Sequence, residues 1–282
     1  MSWLNSGLTV EFPSRGFYDE DNSDEEQESM RSYYLKLDEK ADQTKLLVVT
    51  TTNLAAQFVK VYLSPQNIDG DNHAQVGHIV QKEIPKDTRS NPSNGHARLS
   101  KDKKEDSVVA KLFRLSKDVL HCQVVTGISS DNSNEFTSVL FGFNNCGKSN
   151  ENCAVIVLSS DRLVNYQGYE ECDNESPIQR CLISPTSPQC FEEPCRRLEQ
   201  PNVIGGVAAA ILTDRTFAGK PCLLVINYTD SENPDSITLG GFSSFFNVPL
   251  VKQLLSSVPC ANSSERLKKL HSGPVLSGSI FI

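Results

Sequence analysis

Val203-Ile-Gly-Gly-Val-Ala-Ala-Ala-Ile-Leu-Thr-Asp-Arg-Thr-Phe-Ala-Gly-Lys-Pro-Cys-Leu-Leu-Val-Ile-Asn227 changes its hydrophobic period halfway along. In the first half, Ile204, Val207, Ala208, Ile211 and Leu212 fall at i, i+3, i+4, i+7 and i+8, which is one stripe of a helix. Asn202 stands where an N-cap is expected, and Gly219 and Pro221 supply the stop. From Cys222 to Ile226 the apolar residues run without a break, the pattern of a strand covered on both faces. A helix that leads directly into such a strand is half of an α/β crossover, and it predicts a sheet covered by helices.

Working outward, Cys153-Ala-Val-Ile-Val-Leu is a second strand of the doubly buried kind, and Lys45-Leu-Leu-Val-Val-Thr a third. Phe58-Val-Lys-Val-Tyr-Leu, Val108-Val-Ala-Lys-Leu-Phe and Val119-Leu-His-Cys-Gln-Val-Val are predicted as extended. Asn134 to Phe143 fits a helix or a strand equally well. Leu250-Val-Lys-Gln-Leu-Leu reads as a short amphipathic helix. Ser264-Glu-Arg-Leu-Lys-Lys-Leu-His reads as another, with Ser264 as cap, an early Glu265 and late basic residues that suit the helix dipole. Residues 82–106 lose all apolar periodicity and are expected to be a solvated insertion. Residues 168–195, with their prolines, serines and cysteines, are expected to be a loop.

The charge is uneven. Residues 1–28 hold Glu11, Asp19, Glu20, Asp21, Asp24, Glu25, Glu26 and Glu28 against Arg15 alone, a net −7 that accounts for nearly all of the chain's −8. This predicts a disordered acidic tail over residues 1–30; the sharper reading is an arm that docks on a basic partner. Without a basic stripe, nucleic-acid binding is not expected. No apolar run reaches the length of a membrane span. The opening Met1-Ser-Trp-Leu-Asn-Ser-Gly has neither a basic flank nor a sustained apolar stretch, so no secretory signal is expected and a cytoplasmic location, shared with the nucleus, follows. The nine cysteines are then expected as reduced thiols. In that setting the sequons at Asn174, Asn227 and Asn262 carry little meaning, and Asn227 closes an apolar run where a glycan would not fit.

Gly142-Phe-Asn-Asn-Cys-Gly147-Lys148-Ser149 matches the phosphate-binding pattern G-x-x-x-x-G-K-S. That chemistry needs a helix opening at Lys-Ser, whose N–H groups cradle phosphate. Asn150-Glu-Asn-Cys-Ala-Val-Ile reads instead as a turn into a strand. A magnesium-binding Asp is also missing, because Leu223-Leu-Val-Ile ends in Asn227. A nucleotide hydrolase using Lys148 and Ser149 is kept as the alternative function. Cys172, Cys181, Cys190 and Cys195 would be enough thiolates for zinc, but none is spaced C-x-x-C, so no metal is expected. His73, His78, His96, His121 and His271 form no ligand or catalytic pattern, and His121 reads as a core or edge residue. Gly-x-Ser-x-Gly is absent, so no nucleophile elbow is expected. No catalytic, cofactor-binding or metal residues are assigned.

The end of the chain is different. His271-Ser-Gly-Pro-Val-Leu-Ser-Gly-Ser279 is a flexible stem that spans roughly 30 Å when extended. It carries Ile280, Phe281 and Ile282 beside the free carboxylate. Leaving three large apolar side chains in water costs about 25 cal/mol per Å² of apolar area. Two outcomes relieve this: the tip folds back onto its own sheet as an edge strand, or a partner's pocket captures it and pairs the carboxylate with a cation.

Leu198-Glu-Gln-Pro-Asn-Val-Ile, the alanine-rich helix after it, Cys222-Leu-Leu-Val-Ile-Asn-Tyr-Thr-Asp, Asp235-Ser-Ile-Thr and Ser264-Glu-Arg-Leu-Lys-Lys-Leu together resemble the proteasome assembly chaperone 1 family. The resemblance is clearest over residues 195–282. It implies an α/β fold with a central mixed sheet covered by helices in a single assembly-chaperone-type domain over 31–270, followed by a docking tail over 271–282. It implies a non-enzymatic chaperone without cofactors. The implied partners are proteasome assembly chaperone 2, as a heterodimer, and the α subunits of the proteasome core ring, whose assembly the pair promotes while preventing aberrant association. The family's tail reads hydrophobic-Tyr-x and inserts between α subunits. Here that motif falls on Ile280, Phe281 and Ile282, with Phe281 lacking the hydroxyl. The family pattern also places 143–152 after a helix ending near Gly142 and before the strand at Cys153.

Overall fold

The computed structural model describes residues 31–37, 44–63, 75–83, 107–142, 153–168, 177–186, 191–231 and 233–255. Eight strands form one mixed sheet: β1 (Arg31–Leu37), β2 (Leu46–Thr50), β3 (Gln75–Glu83), β4 (Ser107–Ser116), β5 (Val119–Val124), β6 (Ala154–Asp161), β7 (Ile178–Ile183) and β8 (Cys222–Tyr228). Their spatial order is β1-β3-β4-β5-β2-β6-β8-β7. The central four, β5, β2, β6 and β8, run parallel, and the flanking strands pair antiparallel. Among the described residues, five α-helices accompany them: α1 (Asn53–Tyr62), α2 (Ser133–Gly142), α3 (Gly206–Phe217), α4 (Ser236–Gly240) and α5 (Pro249–Leu255). This is the α/β architecture expected from the helix-to-strand stretch.

Strand pleating sorts the core into two layers. Leu47, Val49, Val155, Val157, Leu224 and Ile226 face Phe136 and Leu140 of α2 and Val207, Ala208 and Ile211 of α3. Leu46, Val48, Ile156, Leu158, Leu223 and Val225 face Leu54, Phe58 and Val59 of α1 and the residues of the α4–α5 region, including Phe242, Phe245 and Val251. Phe58 centres an aromatic cluster there, 5.4 Å from Phe242 and 6.0 Å from Phe245 between ring centroids. Such pairs add about 0.5–1.5 kcal/mol each beyond the area they bury.

Three sequence expectations change. Phe58 to Tyr62 is helical, not extended, and Leu63 caps the helix. Leu54, Phe58 and Val61 recur at i, i+4 and i+7, with Ala55 and Val59 beside them, and all are buried while Lys60 is exposed; the stripe shows only when the window opens at Asn53. The supposed loop at 168–195 contains β7. Ile178-Gln-Arg-Cys-Leu-Ile has no clean alternation, and it is a strand because β8 offers a ladder, from Ile178 opposite Tyr228 to Ile183 opposite Leu223. Its Arg180 is buried yet satisfied by the Gln179 carbonyl at 2.7 Å and by the face and hydroxyl of Tyr166. Asn202 does not cap α3. Gly205 occupies the N-cap position without a side-chain bond, and Asn202 instead accepts from Gln167 N–H and donates to Gln167 C=O, both at 2.8 Å.

Other expectations hold. The stretch from Asn134, which fitted helix or strand, is helical through Gly142, with Phe136 and Leu140 buried four residues apart. Gly219 ends α3 at φ +65°, the left-handed geometry that favours glycine. His121 is a core residue of β5. Lys82 and Glu83 belong to β3, and the rest of the expected insertion, 84–106, lies outside the described residues. So do the acidic tail at 1–30 and the Ser264–His271 helix.

Asn227 is fully buried and donates to Thr238 C=O at 2.8 Å, so its sequon is closed to glycan. Gly241 lies against that same amide; an added Cβ would overlap it. Gly241→Ala is therefore expected to cost about 1–3 kcal/mol through overpacking, read as a lower urea midpoint. An unchanged midpoint would mean the Asn227 amide can turn aside.

Candidate functional site

Parallel strands leave their carboxyl ends on one side of the sheet. β2 continues through Thr51 and Thr52 into α1 on one face, while β5 continues through Val125 to Ile128 towards α2 on the other. Where neighbouring strands send their connections to opposite faces, a crevice opens. Here Thr51, Thr52, Asn53, Gln123, Ser159 and the Gly205-Gly206 start of α3 line a cleft of about 540 Å³. Its floor is a hydroxyl network: Thr51 Oγ1 donates to Ser159 Oγ and Ser160 Oγ donates to Thr52 Oγ1, each at 2.9 Å. No carboxylate, imidazole, thiol or amine is among the described residues that line it. The cleft offers hydrogen bonding without a group that moves protons near neutrality. Sequence reasoning did not single out these residues. The Gly205-Gly206 doublet was the only local signal, because a switch point exists only once strand order is known.

Thr50 and His121 form a separate hydroxyl–imidazole pair at 2.9 Å, with Phe113 stacked on the ring at 5.9 Å. Both are buried inside the sheet, so the pair serves the core.

The sequence candidates fall out unequally. Ile280, Phe281 and Ile282 lie outside the described residues; the last described element is α5, anchored by Val251 and Leu255. In the phosphate-loop match, Gly142 closes α2 and the next described element is β6, while 143–152 lie outside the described residues. The flanking order is helix then strand, the reverse of the strand-then-helix that phosphate cradling requires. Asn227, at the place of the magnesium-binding carboxylate, is committed to Thr238. Cys172 and Cys190 lie outside the described residues, and among the described residues no three His, Cys, Asp or Glu side chains converge on a metal position. Cys181 and Cys195 do meet: the Cys181 thiol donates to the Cys195 carbonyl at 3.1 Å. Burial pushes three other thiols up, Cys122 and Cys222 to about 12 and Cys153 to about 11.

A family model described as proteasome assembly chaperone 4 matches residues 19–275. Mouse proteasome assembly chaperone 1 is 28% identical over 179 residues, 62% of this chain and 58% of the relative. The human protein of the same name is 27% identical over 172 residues, covering 60% and 56%. The chain thus spans somewhat more than half the length of the curated relatives it matches. Among solved structures, Pyrococcus furiosus PbaB, described as an archaeal proteasome activator, superposes with a TM-score of 0.51 at 13% identity over 86% of this chain and 97% of that one. A Thermoplasma acidophilum protein of unknown function gives 0.50 at 13% identity over 81% and 83%. At such identity the likeness is one of fold.

Two outcomes are expected. Titration with magnesium ATP gives no saturable binding; binding that disappears in Lys148→Ala would reinstate the phosphate loop. At pH 8 a thiol with a pKa raised to about 11 is thiolate in roughly one molecule in a thousand. Cys122, Cys153 and Cys222 should therefore resist iodoacetamide in the native protein and label only in denaturant, as read by peptide mass spectrometry.

Proposed function

We propose, from the premise that this chain belongs to the proteasome assembly chaperone family across residues 19–275, that it acts with proteasome assembly chaperone 2 as a heterodimer on the α-ring of the proteasome core. The match of the family model over most of the chain carries this reading. The family is one of non-catalytic chaperones, and its members named proteasome assembly chaperone 1 are the curated relatives found here. The pair promotes ring assembly and prevents aberrant association. It works in the cytoplasm and the nucleus, without nucleic acid or membrane; no described helix is long and apolar enough to cross a bilayer.

The docking element is the tail, Ile280-Phe281-Ile282. Its support is chemical: three apolar side chains and a carboxylate at the tip of a Gly-Ser-Pro stem suit a pocket that is apolar with one cation. The stem follows a described body that ends at Leu255, so the tip is joined to that body by enough chain to reach a neighbour. Phe281 keeps the aromatic ring of the family's motif and gives up its hydroxyl.

Co-purification with tagged proteasome assembly chaperone 2 tests both halves. Deleting Ile280–Ile282, or Phe281→Ala, is expected to leave the heterodimer intact and lower the recovery of α subunits severalfold. Phe281→Tyr is expected to strengthen capture by about 0.5–1.5 kcal/mol, the worth of one hydrogen bond. Unchanged α-subunit recovery by the truncated protein would sink the role of the tail. Failure to recover any second chaperone would sink the heterodimer.

A further inference from the structure

The outer edge of β7 is not open. A second segment runs beside it: Cys181 N–H donates to Arg196 C=O at 3.0 Å, Leu198 N–H donates to Cys181 C=O at 2.9 Å, and Cys181 and Arg197 form a parallel bridge. Cys181 is thereby fixed on both sides, since it also pairs with Val225 of β8. This fixed backbone sets its side chain against Cys195. The Cys181 thiol donates to the Cys195 carbonyl at 3.1 Å, and the two thiols lie close enough for each to shift the other's acidity. Cys181 is buried and Cys195 half-buried, and both are reduced. The charged groups around the pair are Arg197, in an ion pair with Glu193 at 2.6 Å, and Arg180.

We propose that Cys181 and Cys195 form a dithiol modification site that reacts with a small disulfide of the glutathione type and closes into an intramolecular disulfide. The half-buried Cys195 is the entry point. Cys181, whose thiolate the pair favours, takes the Cys195 proton as the Cys195 sulfur attacks one sulfur of the small disulfide, breaking that S–S bond, forming a mixed disulfide and releasing one small thiolate, to which the proton passes. The Cys181 thiolate then attacks the Cys195 sulfur and expels the second small thiol. Two protons pass from the protein thiols to the two released thiols, and two electrons pass from the protein to the reagent. The neighbouring Cys195 thiol favours the thiolate at Cys181, which supports proton sharing within the pair. Bond formation draws the sulfurs together to about 2.05 Å. It closes the loop of residues between them and locks the 195–198 segment over the sheet edge, which a partner chain could otherwise extend.

The experiment treats the full-length protein with excess oxidised glutathione, quenches with acid, and maps peptides without reduction. The expected result is loss of two thiols per chain, a Cys181–Cys195 linkage assigned by fragmentation, and full reversal by dithiothreitol. The linkage persists in Cys190→Ser and disappears in Cys195→Ser, a half-buried position where serine leaves the fold in place. The thermal midpoint of the oxidised protein lies above that of the reduced one. A mixed disulfide that stays on Cys195, a linkage that recruits Cys172 or Cys190 in its place, or no loss of thiols would each overturn the proposal.

Discussion

Leu46 to Thr50 have no access to water on either face. Such a strand forms only with a hydrogen-bonded partner on each side and an apolar layer above and below. β5 and β6 are the partners, both parallel to it, and α1 and α2 with α3 are the layers. Parallel pairing then forbids hairpins, so each connection must climb over the sheet. The long-range character of the fold, the position of Phe58 in a helix and the crevice at the carboxyl ends all follow from this one requirement.

Legibility in the sequence tracks the same requirement. Where burial is two-sided, as at Cys222–Ile226, Ala154–Leu158 and Leu46–Val49, the run is apolar throughout and composition alone reveals the strand, and the polar residues that follow two of these runs, Thr50 and Asn227, are buried with hydrogen-bond partners. Where burial is partial, the reading fails in understandable ways. Phe58-Val-Lys-Val-Tyr-Leu looks like alternation over six residues and like a helical stripe over ten, and the tertiary layer decides. Ile178-Gln-Arg-Cys-Leu-Ile is a strand by virtue of its neighbour β8, and the cation it buries is held by the hydroxyl and ring face of Tyr166, 14 residues upstream. Asn202 has the right chemistry for a cap, yet three residues intervene and its amide closes a loop with Gln167 instead. In each case the missing information is which distant segment arrives to satisfy the residue.

The candidate sites divide along a similar line. The phosphate-loop match fails on flanking order, a topological property that the eight-letter pattern does not contain. The cleft, conversely, is pure topology: its threonines, serines and glycines have no distinctive pattern in the sequence and come together only because β2, β5 and β6 end side by side. The tail is legible in composition, but composition leaves folding back and capture by a partner equally open. The family match covers 19–275 and stops short of the tip.

The described surface exposes a few large apolar side chains. Its largest exposed apolar side chains include Val203 at 84% and Phe217 at 83%, which stand at opposite ends of α3, and Val164 at 80%, in a loop tied to 199–205 through Asn202. Single exposed residues of this kind are ordinary on soluble domains. A stable interface buries upwards of about 1,000 Å² with a continuous apolar centre, and scattered valines do not supply one. The apolar tip at 280–282 is a concentrated apolar cluster in the sequence, and it lies outside the described residues.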